Sequence, residues 1–143
     1  MYEVNLDETW ELFGDYLSGA RSGSVLVASA DPLGDEARAA LSSSAASLGY
    51  GADACTFAAV RGLDPQALFL LVEGIDPQCL IIADGGATSQ LEHAYRCTIP
   101  TGAPVRVFGR SAVAFLDFAD LLSTPESKQL AWALLKKLPR VER

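Results

Sequence analysis

Histidine occurs once in this sequence, at His93, and cysteine three times, at Cys55, Cys79 and Cys97, with no CxxC pair. Ligands this few and this scattered exclude the common zinc-site patterns, so no metal centre is expected. An odd number of irregularly spaced thiols also excludes a disulfide framework, and reduced, partly buried cysteines are the expectation. No spacing favours a Cys–His nucleophile. Long apolar runs are missing as well: none approaches the roughly 18 residues that a membrane span needs. The opening MYEVNLDETWELF lacks the basic-then-apolar order of a secretion signal. A cytoplasmic protein is therefore expected. Neither G-x-G-x-x-G nor G-x-x-x-x-G-K occurs, so those modes of nucleotide binding have no support and no cofactor is implied.

Positive charge is scarce, with 11 Lys and Arg against 18 Asp and Glu, a net charge of −7. A polyanion would be repelled, so strong nonspecific binding to nucleic acid is not expected. The deficit is uneven. Residues 1–92 carry 14 acids and 3 bases, and residues 93–143 carry 4 acids and 8 bases.

What is present is a core. Half of the 143 residues are hydrophobic and 20% are charged, the balance of a globular domain. The chain reads as one domain over residues 1–143, with residues 1–23 as an N-terminal helix packed on it. In that helix Leu6, Trp10, Phe13 and Leu17 recur at spacings of three and four, and Gly19, Ser22 and Gly23 end it. The stretch SVLVASADPLGDE, Ser24 to Glu36, then passes from an apolar strand through a sharp turn into an alanine-rich helix, about Leu33–Leu48. Strand-turn-helix is the repeating unit of an open α/β sheet.

The unit recurs. A strand at about Ala54–Val60 precedes a helix announced by Asp64-Pro65, cap and first-turn proline. A strand at Cys79–Ala83 precedes a tight turn, Asp84-Gly85-Gly86, and a helix at Ala87–Tyr95. Val105–Phe108 is a short strand, and Val113–Phe115 is a further short apolar piece. The last helix opens on Thr124-Pro125-Glu126 and lines Leu130, Leu134, Leu135 and Leu138 along one face. The predicted fold is a three-layer αβα sandwich around a mostly parallel, doubly wound sheet of about four strands.

In such sheets ligands sit beyond the carboxyl ends of the strands. That rule selects the turn after the first strand, with Ser29, Ala30, Asp31 and Pro32. The Asp84-Gly85-Gly86 turn suits close approach of a ligand to the backbone, and equally a simple tight turn. Asp31 and Glu36 suit acid–base work at a helix N-terminus; Asp31 equally suits a helix cap, and Asp35 and Glu36 suit favourable first-turn acids. Asp117 and Asp120 precede the last helix. Lys128, Lys136, Lys137, Arg140 and Arg143 form a basic cluster, read as a solvated face rather than a phosphate patch.

Three segments carry a family resemblance. LLSTPESKQLAWALLKKL, Leu121 to Leu138, resembles the carboxyl end of the uracil-DNA glycosylase superfamily, closest to its iron–sulfur-cluster branch. IDPQCLIIADGGATSQL, Ile75 to Leu91, resembles that family's segment of proline, buried strand, glycine turn and helix. VLVASADPLGDEA, Val25 to Ala37, resembles its first motif, with Pro32 and Glu36 retained. The resemblance implies a doubly wound parallel sheet and a pocket for a flipped base. It also implies losses. Ala30 stands at the family's carboxylate, Leu33 at a glycine, Ala58 at the asparagine that reads the uracil edge, and Asp117-Phe118 at a His-Pro step. Cluster-ligand positions fall on Gly62 and Asp64.

Glycosidic cleavage needs charge stabilisation of the leaving base and an activated water. An alanine supplies neither, and an aspartate facing an anionic leaving base has the wrong sign. The expectation is a uracil-DNA-glycosylase-like domain without efficient glycosylase activity, retained for binding a small ligand or a protein partner. Two alternatives stand beside it. One is a divergent glycosylase or nucleoside hydrolase in which Asp31, Glu36 or Asp117 converge on one cleft. The other is a module that self-associates through its N-terminal helix, with Trp10 or Phe13 exposed.

Overall fold

A computed structural model describes residues 6–21 and 23–140. Ser22 and Arg143, named above, lie outside the described residues. Among the described residues the molecule is α/β, a six-stranded mixed sheet with five α-helices. The strands are β1 (Leu17–Gly19), β2 (Val25–Ser29), β3 (Cys55–Ala59), β4 (Cys79–Ile82), β5 (Val105–Val107) and β6 (Arg110–Ala114). The helices are α1 (Leu6–Phe13), α2 (Asp35–Ser47), α3 (Pro65–Ile75), α4 (Gly85–Tyr95) and α5 (Pro125–Leu135).

Spatial order across the sheet is β1-β3-β2-β4-β6-β5. The four central strands are parallel, and β1 and β5 are antiparallel edges. The expectation of about four strands is thus corrected to six. Every residue of β2 and β4 is buried, because helices cover both faces of a parallel sheet. One face packs Val25, Val27 and Ile81 against α2 and α5. The other packs Leu26, Ala28 and Leu80 against α1, α3 and α4.

Both antiparallel edges arise where the sequence suggested something else. The helix expected over Leu6–Leu17 stops at Phe13, and Gly14–Tyr16 form a single 3-10 turn. Leu17 then pairs with Ala58, so its buried side chain serves an edge strand. The strand expected at Val105–Phe108 is the outer arm of a hairpin, and the fourth parallel strand is β6. Phe108 and Gly109 make the turn with φ of 51° and 87°, both left-handed as a two-residue hairpin requires. The Phe108 ring lies against Phe69 and Tyr95, at centroid distances of 5.7 and 5.5 Å, which offsets that backbone cost.

The helix starts follow local chemistry. Asp64 accepts from the Ala67 amide at 2.7 Å and Thr124 from the Ser127 amide at 3.1 Å. Ala37, Leu41, Ala45 and Leu48 form the buried stripe of α2 and its end. On α5 the buried residues are Ala131, Leu134 and Leu135; Leu130, read as sharing one face with Leu134, Leu135 and Leu138, is 68% exposed. Helices α1 and α3 cross closely at Gly74, where any Cβ would collide with the buried Thr9 side chain. Trp10 is half-buried there and Phe13 is buried, so the N-terminal helix turns its apolar stripe inward.

Candidate functional site

Strand β2 leads through α2 to β3 on one side, and β3 returns through α3 to β4 on the other side of β2. The chain therefore reverses its direction of winding between β2 and β4. Crevices for ligands form at such switch points, beyond the carboxyl ends of the strands. The residues facing each other there are Ala30 and Asp84.

That crevice is closed by hydrogen bonds. The Ala30 N–H donates to the Asp84 carboxylate, at 3.2 Å to Oδ1 and 3.0 Å to Oδ2. The Ala87 N–H donates to the same Oδ1 at 2.8 Å, which makes Asp84 the N-cap of α4. Gly85 and Gly86 are consequently the first turn of the helix, a correction to the tight turn read from the sequence. A Cβ on Gly86 would lie 3.0 Å from the Ala30 methyl, so the loop and the helix meet with no space for a ligand between them. Asp84 also bridges to Asp117, and the Gly85 N–H donates to the Leu116 carbonyl at 3.1 Å.

The other acids do not converge. Asp31 is no helix cap: it points outward and pairs with Arg61, both oxygens accepting at 2.7 Å. Those hydrogen bonds hold the Asp31 carboxyl below its ordinary range and raise the Arg61 guanidinium. The cap position of α2 falls on Gly34, with Asp35 and Glu36 as first-turn acids. Glu36 lines a hollow of about 190 Å³ with Lys128 and Trp132. Asp117 lines a different one and accepts from the Asp120 N–H at 3.2 Å.

The open space lies to one side, over the ends of β2 and β3. A cleft of about 250 Å³ is lined by Ser29, Pro32, Phe57 and Ala58 together with Arg38 and Tyr16. It brings together three of the residues selected from the sequence, Ser29, Pro32 and Ala58; Ala30, Asp84 and the glycines belong to the closed crevice beside it. Ser29 Oγ donates to the Asp31 carbonyl at 2.7 Å, which shapes the turn that roofs the cleft.

Arg38 gives the cleft its chemistry. Its guanidinium carbon lies 4.3 Å from the Phe57 ring centroid, and its Nη1 donates to Ser18 Oγ at 2.8 Å. Residues 1–92 hold three bases, Arg21, Arg38 and Arg61. Arg21 pairs with Asp7 and Arg61 with Asp31, whereas Arg38 has no ion-pair partner among the described residues. Its remaining donors are therefore available to an acceptor on a ligand. Asp15 stands at the same cleft and restricts how much negative charge it can hold. The sequence signal for Arg38 was its rarity, a base in an acidic half-chain, but its meeting with Phe57 crosses from α2 to β3.

The thiols take no part. Cys55 and Cys79 are free and buried at the opposite ends of β3 and β4, and Cys97 is free and exposed. Burial pushes Cys55 up to about 11 and raises Cys79, so both stay neutral thiols. Among the described residues no group of three His, Cys, Asp or Glu gathers as a metal site. No helix among them is long and apolar enough to cross a membrane. No protein-family model matches the chain, and no curated protein matches it.

Proposed function

We propose that this chain is a uracil-DNA-glycosylase-like domain without efficient glycosylase activity, retained to bind a small ligand in the Ser29–Pro32–Ala58 cleft. One observation carries this reading: the carboxylate at the switch point, Asp84, is occupied by two backbone amides and closes the crevice where a reacting group would sit. The parallel order of β3-β2-β4-β6 supports the likeness in fold, and Ala30 and Ala58 at the family's carboxylate and asparagine positions support the loss of reaction. Asp31, Glu36 and Asp117 face different surroundings, which removes the geometry a carboxylate-driven hydrolysis needs. The ligand that fits is small and flat, with an acceptor oxygen for Arg38.

Two measurements test the reading. Single- and double-stranded DNA containing uracil should release no base beyond the background of a protein-free control. Robust excision that disappears in Asp117→Asn would overturn the proposal in favour of a divergent glycosylase. Titration with free uracil, followed by amide chemical shifts, should perturb Phe57, Ala58 and Ser29, and Arg38→Ala should abolish the response. Shifts confined to other surfaces would reject the cleft as the binding site for this ring.

A further inference from the structure

A second surface stands out on the opposite flank. Two hollows follow one another along α5 and the turn that succeeds it, beside the outer edge of the sheet. The first, about 440 Å³, is lined by Leu116, Leu130 and Leu134 together with Asp117 and Asp120. The second, about 390 Å³, is lined by Val105, Ala112 and Leu138, with Arg106 and Lys137 beside them. Leu134 lines the first and Leu138, four residues further on, lines the second, so the two hollows succeed one another as a groove along α5 and the turn after it. Its centre is apolar, one end is acidic and the other is basic. Neither Arg106 nor Lys137 has an ion-pair partner among the described residues. Leu116 and Leu130, two of the four large apolar side chains described as exposed, stand on the acidic half at 76% and 68% exposure.

We infer that this groove is where two copies of the chain join about a two-fold axis. A groove with opposite charges at its ends is self-complementary when a second copy lies across it in reverse, because a two-fold axis sets each acidic end against the partner's basic end. Asp117 and Asp120 then face Arg106 and Lys137 of the other copy, twice over. Leu130 of each copy covers the apolar hollow of its partner, and the exposed leucines leave water together. A partner of uniform charge would satisfy one end of the groove and be repelled by the other.

Sedimentation of the full chain at rising concentration should show a monomer–dimer equilibrium. A monomer persisting at millimolar concentration overturns the inference. Leu130→Glu, at an exposed position that leaves the core unchanged, should shift the dimer dissociation constant at least tenfold, and an unaltered dimer would assign the contact to another face. Charge reversal is the sharper test. Lys137→Glu and Asp120→Lys should each be monomeric alone and form a heterodimer when mixed, and the variant carrying both changes should regain the homodimer. Heterodimers that fail to form, or mixtures that grow beyond two copies, would rule out the two-fold arrangement.

Discussion

At the amino ends of the parallel strands, the Arg110 and Glu73 side chains pair at 2.7 Å while each is only 12% exposed. At the carboxyl ends, Arg61 and Asp31 pair at the same distance with side chains 69% and 65% exposed. The first pair sits in a network: Arg110 also donates to Asp76 Oδ1 at 2.7 Å and to the Pro77 carbonyl at 3.0 Å, and Tyr95 donates to Glu73 at 2.7 Å. Burial works against the Arg110 charge, yet the hydrogen bonds to Glu73 and Asp76 leave its pKa raised. The second pair stands in solvent and is screened there. An α/β enzyme keeps perturbed, buried charge at the strand ends that face substrate. Here that charge lies at the opposite end, where it fastens α3 to the β5–β6 hairpin. The difference identifies the charged network as architecture.

Removing Arg110 is the strongest way to test that contrast. Arg110→Ala leaves Glu73 buried without its cation, and unfolding in urea should show a loss of about 3–5 kcal/mol. A loss comparable to that from a surface substitution would erase the distinction between the two ends. Asp84→Ala comes next. It leaves the Ala30 and Ala87 amides without their acceptor and should cost about 1–3 kcal/mol, with Asp84→Asn costing less because one oxygen remains. If Asp84→Ala were neutral, the switch-point crevice would be held shut by something other than this carboxylate.

The smallest effects separate the ends by pH. Cys55, at the amino ends of the strands, is raised to about 11 by burial. Its stabilising neutral form is fully present below the unfolded thiol value of about 8.5 and is lost as pH rises through the folded value. The urea midpoint should therefore fall between those values, and less so in Cys55→Ala. Asp31, at the carboxyl ends, is shifted the other way by Arg61. Its contribution is present above the ordinary carboxyl value of about 3.9 and is lost as pH falls through the lower folded value. A side-chain carbon titration should place Asp31 below that ordinary value, and Arg61→Ala should return it there.

Much of the fold was legible residue by residue. Cys79-Leu80-Ile81-Ile82 reads as a buried strand because nothing in it is polar enough to face water, and it is β4. Asp64-Pro65 and Thr124-Pro125 read as helix starts because cap and proline act within one turn, and both are. The site was less legible. Ser29 and Pro32 follow from the strand-end rule and Ala58 from the family resemblance, and the three line one cleft. Arg38 was missed because its partner Phe57 is 19 positions away on another element. At Asp84 two glycines suggest a turn, whereas the Asp84 carboxylate starts a helix on them.

The sequence by itself determined the alternation of strands and helices, most helix starts, the buried faces of β2 and β4, and the scarcity of histidine and cysteine. These are local properties, set by side-chain polarity, periodicity and capping within a few bonds of each residue. Only the tertiary structure decided the two antiparallel edges, the closing of the crevice by Asp84, the placing of Arg38 on Phe57, and the burial of charge at the end away from the cleft. Each of these joins residues distant in the chain, and their energies depend on which groups packing removes from water.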